Sequence, residues 1–204
     1  MVARERIKEV ALKLFRTYGV KGVTMFDIAR DCGMSKKTVY EHFSDKQSLI
    51  DEGMQQLLDT HSTFFKEAHA NAENAIDELV RNMKYITNMA RSFNPVMLFE
   101  LQKYHPDTWR NIENFQRDCI LYGITENLKR GMSEGLYRQG IDLNVIARMR
   151  QLQLDAAFDQ LQYPPDTFDM PAVMDQITAH FILGIATIKG HRLVNQYLQI
   201  KEEE

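Results

Sequence analysis

Residues Thr24 to Lys46 read TMFDIARDCGMSKKTVYEHFSDK, and their spacing predicts two short helices joined by a tight turn. Thr24 can cap the first helix, with Asp27 three residues on completing a reciprocal cap, and Ile28 and Ala29 supply its inward side. Gly33 ends that helix and Ser35 can cap the next. In the second helix Val39 and Phe43 stand four residues apart, so they share one face and point inward. At about 100° per residue the opposite face carries Lys37, Thr38 and Glu41, with Lys36 and Tyr40 along one edge and His42 along the other. A polar, partly basic helix of this size fits the major groove of DNA, and the stretch is read as a helix-turn-helix.

This geometry directs Lys36, Lys37 and Thr38 toward base edges, and Tyr40, His42 and Lys46 toward the phosphate walls. With the capping residues Thr24 and Ser35 they form the expected DNA-binding set. Glu41 fits least well, because a carboxylate facing the groove repels phosphate unless it accepts from a cytosine amino group.

At these residues the sequence resembles the TetR family of bacterial transcriptional regulators, whose pattern runs approximately T-x-x-x-I-A-x-x-x-G-x-S-x-x-x-x-Y-x-H-F-x-x-K. Here the matching residues are Thr24, Ile28, Ala29, Gly33, Ser35, Tyr40, His42, Phe43 and Lys46. Cys32 stands where the family usually has alanine, and Lys36-Lys37 make the second helix more basic than average. The resemblance implies an all-α protein: an N-terminal three-helix helix-turn-helix domain, then a C-terminal helical domain for ligand binding and dimerisation. The expected division is 1–46 for the first and 47–204 for the second.

Charge is distributed as that division requires. Residues 1–46 hold ten Lys/Arg against six Asp/Glu, a balance of +4, in a chain whose total is −3, so the rest carries −7. A basic head on an acidic body draws phosphate to one end. The 44% hydrophobic content suffices for a substantial core. The start, MVARERIKEV, is charged and amphipathic rather than a signal segment, and no apolar run approaches a membrane span. A cytoplasmic protein with no membrane partner is expected. Its two cysteines, Cys32 and Cys119, are expected to be buried thiols rather than a disulfide or metal pair.

Along the chain, Ile7, Val10, Ala11, Leu14 and Phe15 form the stripe of a first helix over 4–18. Gly19 and Gly22 bracket the loop to Thr24, in which Lys21 can meet a phosphate. Ser44 and Gln47 predict a second reciprocal cap. From it a helix of about 25 residues, roughly 37 Å long at 1.5 Å per residue, crosses the domain boundary and would act as a lever on the head. Further helices are predicted from Ala75 to Ala90, from Asn94-Pro95 to His105, and as one long element over 107–130 closed by Gly131. The link Gly135 to Ala147, GLYRQGIDLNVIA, resembles the one that TetR-family chains place before their penultimate helix. The last two helices are predicted over 143–160 and 171–199. The final helix is apolar on two faces, one with Val173, Met174, Ile177 and Phe181, the other with Ala179, Leu183, Ala186, Gly190 and Leu193. That width predicts a homodimer through the last two helices.

For the second domain the family implies a small-molecule effector. The central helices are rich in methionine and aromatic residues, which make adaptable apolar walls for an apolar or aromatic molecule. The candidate ligand-binding residues are His61, Met83, Met89, Phe93, Trp109, Phe115 and Tyr122. No cofactor, catalytic residue or metal site is expected, since the remaining histidines are scattered and neither a P-loop nor a glycine-rich dinucleotide turn is present. The favoured reading is therefore a ligand-responsive regulator, a repressor binding double-stranded DNA as a dimer and released by its effector. The alternatives are an activator or nucleoid or division factor whose second domain binds protein, and a helical enzyme or scaffold.

Overall fold

The computed structural model describes residues 2–91, 94 and 96–199. The protein is all-α: among the described residues the only β contact is an isolated antiparallel bridge between Tyr137 and Ala186. The helices are α1 (Ala3–Tyr18), α2 (Met25–Cys32), α3 (Lys36–His42), α4 (Lys46–Asn71), α5 (Ala75–Ala90), α6 (Val96–Tyr104) and α7 (Pro106–Phe115), then a π-helical segment (Gln116–Leu121), α8 (Tyr122–Ser133), α9 (Leu143–Ala157), α10 (Met170–Ile185) and α11 (Ile188–Leu198). No helix among the described residues is long and apolar enough to cross a membrane.

The chain divides into two compact units. The first takes in Met1–His61 and Ser92–Phe115, the second Ser62–Arg91 and Gln116–Glu204. The division expected from the sequence places its boundary after Lys46. Packing divides the chain elsewhere, because the start of α4 and all of α6 and α7 share a core with the helix-turn-helix. In that core Ile7, Leu14, Ile28, Val39 and Phe43 join Leu49, Ile50, Met97 and Leu101.

In the second unit α5 packs on α10, α8 and α11. Its larger core gathers Ile76, Leu79 and Val80 of α5 with Leu128, Phe181, Ile182 and Val194. Tyr137 is fully buried there, and its hydroxyl lies 3.1 Å from both the Ala75 carbonyl and Asn127 Oδ1. A smaller core holds Ala157, Val173 and Met174.

Three expectations are corrected. Asp45, not Ser44, caps α4, accepting the Ser48 N–H at 2.7 Å; the carboxylate one residue on reaches the third helical amide, which is also why the Asp45 carboxyl titrates below the usual range, the Ser48 amide contributing most. The predicted helix over 107–130 is broken by the π-helical segment at Gln116–Leu121 and runs on past Gly131 to Ser133. Gly131 does not stop the helix because its role is steric: a Cβ there would lie 2.0 Å from the Tyr137 ring. The last predicted helix is two, since Ala186 and Thr187 are extended and Thr187 caps α11 through Gly190 N–H. Strand-like bonds, Arg138 N–H to the Ile185 carbonyl and Thr187 N–H to the Leu136 carbonyl, both 2.9 Å, satisfy the break.

Candidate nucleic-acid interface

The helix-turn-helix is built as the spacing required. Thr24 Oγ1 accepts the Asp27 N–H at 3.2 Å, and Asp27 Oδ2 accepts the Thr24 N–H at 3.0 Å and its hydroxyl at 2.6 Å. The Thr24 hydroxyl and amide hold the Asp27 carboxyl below its ordinary range. Gly33 takes the left-handed conformation, φ +66°, that turns the chain. Ser35 Oγ accepts the Thr38 N–H at 3.0 Å and lies 2.9 Å from its hydroxyl, so Thr38 is held at the first turn of α3.

Val39 and Phe43 are buried, which turns the opposite side of α3 outward. Lys36, Lys37, Tyr40 and Glu41 are exposed, and Thr38 and His42 half-buried. Lys36 Nζ lies 5.6 Å from the centre of the Tyr40 ring, a cation over an aromatic face that orders one edge of the helix. Lys46 is half-buried; desolvation pulls its pKa down, against the opposing attraction of Glu100 and Asp27. From beneath, the Arg4 guanidinium covers the Phe43 ring at 4.5 Å and pairs with Glu52, Nη2 to Oε1 at 2.6 Å. The structure thus brings all eight expected DNA-binding residues into the first unit, six of them on α3 or at its N-cap.

Two sets of contacts around this head were not foreseen. Asn94 donates its N–H to the Arg16 carbonyl at 2.8 Å and its side-chain amide to Thr17 O at 3.1 Å, while Glu100 Oε2 accepts the Lys21 N–H at 2.8 Å. At the start of α4, Gln47 Nε2 donates to Asp51 at 3.0 Å and to Thr108 at 3.2 Å, Thr108 also bonds Asp51, and His105 Nδ1 lies 2.6 Å from Gln47 Oε1. Nothing in the local sequence signals bonds that reach so far along the chain; only the acidic Glu100 within an apolar helix, VMLFELQKY, hinted at a polar partner.

The candidate ligand residues are divided between the two units. His61, Trp109 and Phe115 belong to the first unit, and Met83, Met89 and Tyr122 to the second; Phe93 lies outside the described residues. His61 and Phe115 stack loosely, ring centres 6.4 Å apart, and Trp109 donates its indole N–H to Glu113 at 2.9 Å. Tyr122 is 64% exposed and so lies outside the core of its unit. In the second unit Met83 lines a cleft of about 420 Å³ whose other walls include Lys84, Thr87, Asn88, Asp175 and Tyr197. Nearby on the same helix Tyr85 stacks face to face on Phe64 at 3.7 Å, with Phe65 edge-on at 5.8 Å. Among the described residues there is no cluster of three side chains able to hold a metal, and Cys32 and Cys119 are free thiols, the first buried and the second half-buried.

His61 gives a test of burial in the first unit. Desolvation, helped by the Arg16 charge, lowers its pKa from 6.5 to about 4. Unfolding therefore takes up a proton between these values, so the neutral histidine's contribution is whole above pH 6.5 and is lost as the pH falls toward 4. His61→Gln is expected to remove up to about 3 kcal/mol of that acid sensitivity. Denaturant midpoints at about pH 7, above that window, and at about pH 4.5, near its lower end, measure it; an unchanged difference between the two pH values would show that the imidazole is not buried.

Comparisons agree with this geometry. Residues 7–52 match the family model described as bacterial regulatory proteins, tetR family. An HTH-type transcriptional regulator of Staphylococcus aureus strain USA300 is 40% identical over 74 residues, covering 34% of this chain and 40% of the relative, so the match spans well under half the length of that curated relative. Among solved structures, a TetR family transcriptional regulator, PfmR, from Thermus thermophilus is 22% identical over 89% of this chain and 100% of its own, with a TM-score of 0.64. A transcriptional regulator from Saccharomonospora viridis in complex with choline is 21% identical over 91% of this chain and 98% of its own, with a TM-score of 0.75. At these identities the structures show a shared fold.

Proposed function

Because the chain belongs to the TetR family of bacterial regulatory proteins, we propose that this transcriptional regulator is a ligand-responsive repressor. Two heads of a homodimer grip adjacent major grooves of a pseudo-palindrome, about 34 to 36 Å apart, and a small apolar or aromatic effector in the second domain favours a spacing that no longer fits. The observation that carries this reading is the orientation of α3: Val39 and Phe43 are packed inward, so a basic, hydroxyl-bearing face is presented by a helix capped at Ser35.

The functional boundary after Lys46 and the roles of the eight residues follow from that reading. Thr24, Ser35, Tyr40, His42 and Lys46 meet phosphates, with Lys36, Lys37 and Thr38 nearest the bases. The helix α4, unbroken from Lys46 to Asn71, carries the effector's influence. Dimerisation uses α9 and α10. Val145, Met149 and Leu152 are 60%, 42% and 58% exposed and recur at i, i+4 and i+7, a stripe that a monomer leaves in water. Ala179 and Leu183 of α10 are half-buried and suit the same interface. Ala186 and Gly190, first read as part of that face, are buried within the chain; the Leu136 carbonyl closes over Gly190. For the effector, the choline held by the Saccharomonospora viridis regulator is a precedent for a small organic ligand, and the Phe64, Phe65 and Tyr85 rings together with Met83 and Met89 supply apolar surface.

Selection of bound genomic DNA by the purified protein tests the reading, and a protein that enriches no fragment at low salt overturns it. On the selected operator, Tyr40→Phe is expected to weaken every sequence about equally, by roughly threefold to tenfold, as a lost phosphate bond does. Lys37→Ala is expected instead to relax preference at one or two base positions, worth about 1–3 kcal/mol. Equal changes of specificity in the two variants would refute the division of roles.

A further inference from the structure

Helix α1 ends where the chain turns toward α2, and its end is finished by residues from far along the sequence. The Gly19 N–H closes onto the Phe15 carbonyl, leaving later carbonyls without helical partners. Asn94 takes up two of them, at Arg16 and Thr17. One turn further on, Glu100 reaches across 79 positions of sequence to accept the Lys21 N–H. Its carboxylate fills the space beside Gly19, where a Cβ would lie 2.8 Å from Oε2. Gly19 has φ +78°, so the same residue supplies both the turn and the room.

Glu100 is buried, and a buried carboxylate costs stability unless donors meet it. A methionine or leucine would fill this place in an apolar core without that cost, so a carboxylate here points to what it holds. It holds a loop whose conformation leads through the buried Val23 to Thr24 and the N-terminus of α2. The Lys21 ammonium is steadied from the same helix, 5.5 Å above the Tyr104 ring.

We propose that Glu100 is a positioning residue for DNA binding: by accepting the Lys21 N–H in the space left by Gly19, it sets the α1–α2 loop and hence the placement of Lys21 and Thr24 against phosphate. The proposal rests on the DNA-binding reading above. The hydrogen bond is what sets the loop; glutamine, whose amide oxygen can accept the same N–H without the charge that Glu100 also presents to Lys46, separates the two.

The test uses the full chain, a genomic fragment selected by the wild-type protein, and two readouts: fluorescence anisotropy on that fragment and amide hydrogen exchange at Lys21. Glu100→Gln is expected to stay within about twofold of wild type in both. Glu100→Met, of similar size but without an acceptor, is expected to bind roughly tenfold more weakly and to exchange the Lys21 amide roughly tenfold faster, at a temperature where it is fully folded. Gly19→Ala, which presses a methyl group onto the carboxylate, is expected to shift both readouts in the same direction and carries the test if the methionine variant does not fold. Unchanged or tighter binding in Glu100→Met, an equal loss in Glu100→Gln, or weaker binding with Lys21 exchange unchanged each overturns the proposal. If the wild-type protein selects no DNA, the functional reading fails, while exchange at Lys21 still reports whether Glu100 holds the loop.

Discussion

Replacing Phe43 by alanine is expected to abolish operator binding. Phe43 is buried at the C-terminal end of α3, roofed by the Arg4 guanidinium, and packed in the core that also holds Val39, Ile28, Leu49 and Ile50. A phenylalanine-to-alanine change in such a place costs about 3–5 kcal/mol, through lost burial and the cavity left behind. A loss of that size is a large share of the stability of an ordinary domain. The polar face of α3 would stay intact in composition while losing the surface that orients it. Anisotropy with the selected operator is expected to show at least about a hundredfold loss, the rate at which about 2.7 kcal/mol converts to affinity. Binding within about threefold of wild type would mean that α3 is not seated by Phe43.

The second large effect lies in the other unit. Gly190→Ala is expected to lower stability by about 3 kcal/mol or slightly more, as overpacking against an immovable neighbour does. The new methyl carbon would stand 2.3 Å from the Leu136 carbonyl oxygen and 3.1 Å from Ala186 Cβ. The carbonyl cannot yield easily, since it accepts the Thr187 N–H and hydroxyl at the helix break. In a thermal melt the midpoint is expected to fall by roughly 6 to 12 °C for a chain of this size. Gly184→Ala is the control, because a methyl group there meets nothing within 4 Å. A Gly190→Ala midpoint equal to that control would show that the loop at Leu136 does not close over α11.

Both effects separate what pattern reveals from what packing reveals. The inward pair Val39 and Phe43 was legible because a helix of known period places residues four apart on one face, whatever surrounds it. Thr24, Asp27, Gly33 and Ser35 were legible for the same local reason: caps and left-handed turns are decided within four residues. The capping of α4 was displaced by one residue because Ser44 and Asp45 can both accept from the next turn, and only the path of the entering chain selects between them. The break at Ala186–Thr187 had only a weak local signal, a threonine able to cap a helix. Every residue from Val173 to Leu193 tolerates a helix, and what interrupts it is the backbone of Leu136 to Arg138, far earlier in the chain.

The sequence by itself determined that the protein is all-α, that residues 24–46 form a helix-turn-helix, and which side of α3 faces out. These depend on periods of a few residues and on conformational limits of single residues. Only the tertiary structure decided that Asn94 and Glu100 complete the end of α1, that Gly131 and Gly190 are spaces kept for Tyr137 and Leu136, and that Ala186 and Gly190 serve the chain's own core. Those outcomes depend on which distant groups arrive beside each other, and a hydrogen-bonding or steric need records only that a partner is required, not where in the chain it lies.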